Sequence, residues 1–205
     1  MISRFSAAVF ASSALALSAI SAQAASDINV RGTIEGVNGQ TMTVKTREGS
    51  TDTIDLSGDW KISGVAKASV HDIKPGDFVG IASVSKKNGG NGALEVVVFP
   101  ASMKGVGEGD YAWDLKPKSN MTNGTVAKAV KQVNGQTVTV AYHGGSRKIS
   151  RKITITDKTP VVTFAPAKKS DLKPHATVFV TAKKDGTKMS AQRVIVGHGG
   201  VTPPM

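Results

Sequence analysis

The sequence predicts an all-β fold made of two tandem small barrels. One phrase occurs twice, as VNGQTMTVKT from Val37 and as VNGQTVTVAY from Val133. After each Asn-Gly pair the residues alternate between apolar and polar, which is typical of strands with one buried face. No segment carries an apolar period of about 3.6 residues over more than two helical turns. We therefore expect no long helix.

The first copy begins with a strand and a tight turn. Asn38-Gly39 predicts a hairpin, because a type I′ turn needs positive φ at both central residues. Met42 and Val44 then share one face of the next strand, and the threonines between them share the other. The predicted elements of this copy are a strand at 32–34, the turn at 38–39, a strand at 41–44, an Asp-Ile-Lys-Pro turn at 72–75, and strands at 78–82 and 95–98.

The second copy repeats these elements in the same order. They lie at 124–126, 134–135, 137–140, 171–174, 178–182 and 193–196. Five or six short strands suit a small closed barrel, because an open sheet of that size would leave exposed edges. We therefore predict a signal peptide at 1–24, a first β domain at 25–103, a linker at 104–120 and a second β domain at 121–205.

The shared pattern resembles a bacterial envelope domain of unknown function. It combines GTI or GTV, the VNGQT phrase, the Asp-(Ile/Leu)-Lys-Pro turn and a final apolar strand, over roughly residues 28–99 and 121–197. That family is OB-like and often tandem, so the resemblance implies two tandem OB-like β-barrels and no catalytic residues. His175 stands where the family and the first copy have glycine (Gly76), which leaves the type of this turn open.

The chain is also similar, over its middle segment and the run 160–166, to proteobacterial exported proteins that are sometimes labelled metal transporter permeases. A permease needs several membrane spans, and no later stretch of this sequence approaches one. We therefore reject the permease function.

The first residues have the layout of a secretory signal peptide. Arg4 precedes an apolar, Ser-rich run at 7–20, and Ala22-Gln23-Ala24 is a small-x-small cleavage site. The run is shorter than the roughly 20 apolar residues of a spanning helix. We expect cleavage after Ala24 and a periplasmic mature chain without a transmembrane span. The absence of cysteine favours a bacterial periplasm and excludes thiolate zinc sites and cysteine nucleophiles.

Positive charge is concentrated in the second copy. Residues 121–205 hold 14 Lys or Arg against 3 Asp or Glu, whereas residues 27–103 hold 8 against 9. This asymmetry favours an anionic partner, such as anionic lipid, lipopolysaccharide, an acidic glycan or an acidic protein. Nucleic acid is not expected, because few rings are available to stack on bases. A basic surface that only aids solubility is the alternative.

The candidate anion-binding residues are the clustered cations of the second copy. The first four of them are predicted to line one edge of a hairpin and to act as point or forked charges. They are Arg147, Lys148, Arg151, Lys152, Lys168, Lys169, Lys183 and Lys184.

Two other functions have weaker support in the sequence. A periplasmic metal- or small-ligand-binding accessory protein would use the histidines (71, 143, 175 and 198) and the segment 108–114, but their spacing matches neither a zinc site nor an EF-hand. We assign no metal ligand and no cofactor. The motifs GxSxG and HExxH are absent, so we predict a protein that is not an enzyme.

Overall fold

The computed structural model describes residues 25–204, so the predicted signal peptide and the cleavage site after Ala24 lie outside the described residues. Short 3-10 turns occur at 70–72, 101–103 and 169–171. The strands are β1 (Ser26–Asn38), β2 (Thr41–Thr46), β3 (Thr51–Asp55), β4 (Lys61–Lys67), β5 (Phe78–Ser85), β6 (Asn91–Phe99), β7 (Gly109–Trp113), β8 (Ser119–Gln132), β9 (Gly135–Gly144), β10 (Arg147–Thr156), β11 (Val161–Ala165), β12 (Thr177–Asp185) and β13 (Lys188–Gly197).

The prediction of an all-β fold is confirmed. In β2 the alternation has the expected effect, because Met42 and Val44 are buried while Thr41 and Lys45 are exposed. The second Asn-Gly turn requires its glycine. Gly135 has φ 128°, and a Cβ there would clash with the carbonyl oxygen of Ile155.

The strands form one mixed sheet rather than two separate sheets. Its order is β10-β9-β8-β5-β6-β11-β4-β13-β12-β1-β2-β3, with β7 paired to β8 outside this order. Two further parallel pairings, β10 with β6 and β13 with β3, join positions far apart in that order. They define a first strand set (β1, β2, β3, β12, β13) and a second strand set (β5, β6, β8, β9, β10), with β4 and β11 between them.

Each strand set combines strands from both copies of the repeat. Strand β1 of the first copy pairs antiparallel with β12 of the second, for example Val30 with Val180. In the same way β5 of the first copy pairs with β8 of the second, for example Ile81 with Thr122. The hairpin that ends each copy therefore lies in the strand set of the other copy.

The hydrophobic core follows the strand sets. One cluster contains Val44 together with Val194, and another contains Ile81 together with Val140. A third cluster, which includes Phe179, draws on β4, β6, β11, β12 and β13. Burial of apolar area contributes about 25 cal/mol per Å², so the stability of each core depends on both copies.

The predicted domains 25–103 and 121–205 thus correspond to the two copies of the repeat. Each hydrophobic cluster, however, contains residues from both predicted domains. The predicted linker 104–120 contributes strand β7 (Gly109–Trp113), which pairs with β8. It also places Tyr111 and Trp113 in the lining of a cavity described below.

Candidate anion-binding face and aromatic cavity

The basic run of β10 does not form a single edge, because successive side chains of a strand face opposite sides. Arg151 lies on the side of buried Ile153, and Arg147 shares that side at the exposed end of the strand. Lys148 and Lys152 lie on the outer side, where both are exposed. Strand alternation therefore separates the four predicted residues into two pairs.

The guanidinium of Arg151 is engaged within the protein. Its Nη1 donates to both carboxylate oxygens of Asp110, at 2.6 and 2.7 Å, and its Nη2 donates to Asn91 Oδ1 at 3.0 Å. Thr122 donates its hydroxyl to the same carboxylate at 2.6 Å. Both side chains of the ion pair are about one-fifth exposed, 20% for Arg151 and 19% for Asp110. The charge of Arg151 is thus already compensated, and its contacts connect β10 to β6 and β7.

Lys152 belongs to a row of outer residues that crosses three strands. It lies opposite Thr139 of β9, which lies opposite Lys128 of β8. Because neighbouring strands are about 4.8 Å apart, the backbones of the two lysines are about 10 Å apart. Lys148 lies further along the outer side of β10, opposite His143.

A fourth lysine reaches this surface from the first copy of the repeat. The side chain of Lys86, in the turn between β5 and β6, packs over Gly92, where a Cβ would lie 2.9 Å from its Cε. Gly92 is paired with Thr154, two residues beyond Lys152 on β10. We call Lys86, Lys128, Lys148 and Lys152 the basic face.

Sequence reasoning missed Lys86 and Lys128. The available signal was the repeat itself, because Lys86-Lys87 precedes the turn of the first copy that corresponds to the turn after Lys183-Lys184 in the second. The sequence did not indicate that each copy contributes this turn to the strand set of the other copy.

The other four predicted residues lie on the first strand set. The Nζ of Lys169 is 5.0 Å from the ring centre of Trp60, in a cation–π contact, and Lys168 precedes the same 3-10 turn. Lys183 and Lys184 lie near the end of β12, opposite Asp27 and Ser26 of β1. Lys183 also lines an open groove of about 520 Å³. The structure therefore does not bring the eight predicted residues together.

The lysines of the described chain are not used in ion pairs. Among residues 25–204 the ion pairs join Arg31 to Asp114, Arg151 to Asp110, and two histidines to acidic residues (His71 to Asp157 and His143 to Glu108). No lysine in this range has a carboxylate oxygen within 4.0 Å of its Nζ. The basic face therefore presents charge that the protein itself does not neutralise.

Three of the four histidines have separate polar partners, and the fourth, His175, lines an open pocket together with His198. His71 Nε2 is 3.3 Å from Asp157, and His143 Nδ1 is 2.8 Å from Glu108. His198 Nε2 lies 3.1 Å from the carbonyl oxygen of Pro166. Within residues 25–204 no three His, Asp or Glu side chains are grouped closely enough to hold a metal ion.

A cavity of about 200 Å³ is lined by β7 and by strands of both strand sets. Its lining draws on both strand sets and on the connecting segments, and it is rich in aromatic rings. The rings are those of Phe99, Tyr111, Trp113, Phe164 and Phe179.

Arg31 holds one wall of this cavity in place. Its guanidinium carbon is 5.5 Å from the ring centre of Trp113 and 5.1 Å from that of Phe179, which stack with centroids 6.4 Å apart. Its Nη2 also donates to Asp114 Oδ1 at 2.6 Å. Partial burial favours a higher pKa for Asp114, but the hydrogen bond and the charge of Arg31 outweigh it, so the pKa is lowered.

Glu95 on β6 is buried on the same side of the sheet as Val97, since the two are separated by one residue. Burial raises the pKa of Glu95 to about 7, although the charges of Arg31 and Arg47 oppose this shift. Glu95 Oε1 has no hydrogen-bond partner among residues 25–204. A carboxyl of this kind exchanges its proton near neutral pH.

Among residues 25–204, no helix has the length and hydrophobicity of a transmembrane span. No protein-family model matches the chain, and neither a curated protein nor a solved structure matches it. The resemblance to an envelope domain therefore stays a prediction.

Proposed function

We propose that this chain is an exported, non-enzymatic binding protein of the bacterial periplasm that attaches to anionic lipid surfaces through the basic face. The observation that carries the proposal is the convergence of Lys86, Lys128, Lys148 and Lys152, from both copies of the repeat, on one exposed surface. None of these lysines is neutralised by an ion pair within residues 25–204.

The proposal includes two OB-like barrels, each completed by a hairpin of the other copy. An OB barrel has five strands and binds ligands on the face of its second and third strands, together with the adjacent loops. In the second strand set these positions correspond to β9 and β10, the β8–β9 turn and the β5–β6 turn. Lys152 and Lys86 lie on that surface, which supports a binding role for it.

Anionic lipid is favoured over the other anionic partners because apolar side chains flank the lysines. Val130 of β8 is 47% exposed and lies two residues from Lys128, and Val133 at the β8–β9 turn is 96% exposed. Cations beside exposed apolar residues suit the interfacial region of a membrane, where each Lys or Arg contributes about 1 kcal/mol near an anionic surface. An acidic glycan or protein would not explain the exposed valines.

Nucleic acid is disfavoured because the aromatic residue of β9 is buried. Tyr142 of β9 is only 8% exposed, so its ring is not available for stacking on bases. The basic face therefore offers charge and apolar contact without the interleaved rings of a base-binding platform.

Vesicle co-sedimentation tests the proposal. Vesicles of phosphatidylcholine with phosphatidylglycerol are compared with vesicles of phosphatidylcholine alone, using the variant K86Q/K128Q/K148Q/K152Q. The matched control is K45Q/K61Q/K173Q/K188Q, which removes the same charge at exposed positions away from the face. We expect salt-sensitive binding to the anionic vesicles only, lost by at least about tenfold in the first variant and largely retained in the control.

Equal losses in the two variants would contradict the basic face and leave only a net-charge effect. Binding to a soluble acidic glycan but not to anionic vesicles would contradict lipid as the partner.

A further inference from the structure

The aromatic cavity is separate from the basic face and suits a different kind of ligand. Its volume is about 200 Å³, and an apolar cavity of about 150 Å³ is large enough to hold benzene. The size therefore suits a single six-membered ring with one short substituent. A longer lipid chain or a sugar chain does not fit this volume.

The lining favours an aromatic ligand over an aliphatic one of the same size. Phe99 and Phe164 lie with ring centroids 5.3 Å apart at a tilt of 45°, and Tyr111 meets Trp113 edge-on at 6.2 Å. Walls made of rings at different angles offer both faces and edges to a bound ring, which are the preferred contacts of aromatic pairs.

Two polar atoms of the lining lack a partner. The indole Nε1 of Trp113, a donor, and Oδ1 of Asn123, an acceptor, are both buried without a hydrogen bond to any of residues 25–204. The amide of Asn123 is oriented by its Nδ2, which donates to the hydroxyl of Tyr111 at 3.1 Å. Buried polar groups without partners are unfavourable, and a ligand with polar groups would supply the partners that both atoms lack.

The cavity is also accessible from the surface. Tyr111 and Val106, which lie along its outer side, are 40% and 41% exposed. Both belong to the segment between the two copies, which covers the cavity through the pairing of β7 with β8. A small molecule could therefore enter beside this segment without opening either strand set.

We propose that the aromatic cavity beside β7 binds a small monocyclic aromatic molecule that carries an amide or hydroxyl substituent. The ring packs among Phe99, Phe164 and Phe179, and the substituent satisfies Trp113 Nε1, Asn123 Oδ1 or both. This inference does not depend on the proposed attachment to lipid, because the two sites share no residue.

The indole N–H signals of ¹⁵N-labelled protein provide the test, since the chain has only two tryptophans. The variant W60F leaves Trp113 as the one indole, so its signal is assigned directly. Benzamide is the probe, with cyclohexanecarboxamide and toluene as comparisons that lack the aromatic ring and the polar group respectively. The full mature chain is used throughout.

We expect benzamide to move the Trp113 indole signal downfield and saturably, because the N–H gains an acceptor, with a dissociation constant of about 1 mM. Cyclohexanecarboxamide should bind at least about fivefold more weakly, given the preference of rings for rings. Toluene should shift lining resonances but not move the indole proton downfield.

Two variants locate the site. T181F places a ring in the cavity from half-buried Thr181 of β12, and V106F does so from the exposed segment, where misfolding is not expected. The control T43F makes the same change at another half-buried strand position outside the cavity lining. We expect both cavity variants to lose the benzamide response and T43F to keep it.

No saturable shift with benzamide, or an equal response in V106F, would overturn the proposed site. An equal affinity for cyclohexanecarboxamide would overturn the aromatic specificity.

Discussion

The backbone N–H of His175 donates to the carbonyl oxygen of Ile34 at 2.8 Å, which joins the second copy of the repeat to the first. The corresponding bond in the other direction runs from Gly76 to Val126, also at 2.8 Å. Each Lys-Pro turn therefore contacts the opening strand of the opposite copy. Because the two bonds are equivalent, the exchange of hairpins is reciprocal.

An introduced disulfide should report this exchange, because the chain has no cysteine of its own. Asp27 of β1 and Lys183 of β12 face each other across an antiparallel pair, where Cα separations of about 4.5–5.5 Å fall within the range of disulfides. We expect D27C/K183C to form an intrachain disulfide on mild oxidation, measured by mass spectrometry and thiol labelling. D27C/K86C, whose cysteines lie in one copy but in different strand sets, should keep free thiols.

Glu95 should make stability depend on pH. Its pKa is raised to about 7 by burial, whereas the unfolded carboxyl has a pKa near the ordinary value of 4.5. The folded state therefore holds the proton more tightly, and stability falls as pH rises from about 4.5 to about 7, then stays at the lower level. The E95Q variant, which is always neutral, should avoid this loss.

The comparison is made by chemical unfolding at pH 5 and pH 8. We expect the unfolding free energy of E95Q relative to the unmodified protein to improve by about 3 kcal/mol between these two pH values. The exposed control E48Q should show no such trend. A difference between E95Q and the unmodified protein that is independent of pH would contradict a raised pKa at Glu95.

Arg151 should contribute to stability rather than to binding. R151Q leaves the mostly buried carboxylate of Asp110 without its cation, which should lower the unfolding free energy by about 2–3 kcal/mol. K152Q, one residue away but exposed, should change it by less than about 0.5 kcal/mol. Thermal unfolding of both variants gives the comparison. If R151Q stayed as stable as K152Q but lost vesicle binding, the assignment of Arg151 to stability rather than to binding would be wrong.

Much of the local structure follows from the sequence. Alternation at Met42 and Val44, and the Asn-Gly turn at Gly135, are properties of a few neighbouring residues, so the strands and hairpins could be predicted. The conformation of the turn at His175 is likewise set by neighbouring residues. It keeps the left-handed conformation of its counterpart, with φ 69° at His175 and 95° at Gly76, although histidine adopts it less readily than glycine.

The pairing of strands could not be predicted in the same way. The hairpins β5–β6 and β12–β13 have nearly the same apolar pattern. Either hairpin would therefore cover the apolar face of β1–β3 or that of β8–β10. The sequence therefore does not distinguish closure within a copy from exchange between copies. The location of Lys86 and the separation of Lys183 from Lys152 both depend on that choice. The aromatic cavity depends on it too, since Phe99 and Phe179 come from different copies.

The sequence was sufficient to predict that the basic residues of Arg147–Lys152 lie on two sides of β10. Period-2 alternation, already used to identify the strands, places Lys148 and Lys152 on one side and Arg151 on the other. The pairing of Arg151 with Asp110 was not predictable, because these residues are 41 positions apart.

Vesicle binding by two lysine-pair variants tests the central claim most directly. K86Q/K87Q removes charge that the nearly neutral first copy contributes to the basic face and its edge, whereas K183Q/K184Q removes charge from the basic second copy, on the other strand set. If the basic face is assembled by exchange, K86Q/K87Q should weaken binding to phosphatidylglycerol vesicles by about tenfold, and K183Q/K184Q should bind as the unmodified protein does. A loss confined to K183Q/K184Q, or an equal loss in both, would contradict the account.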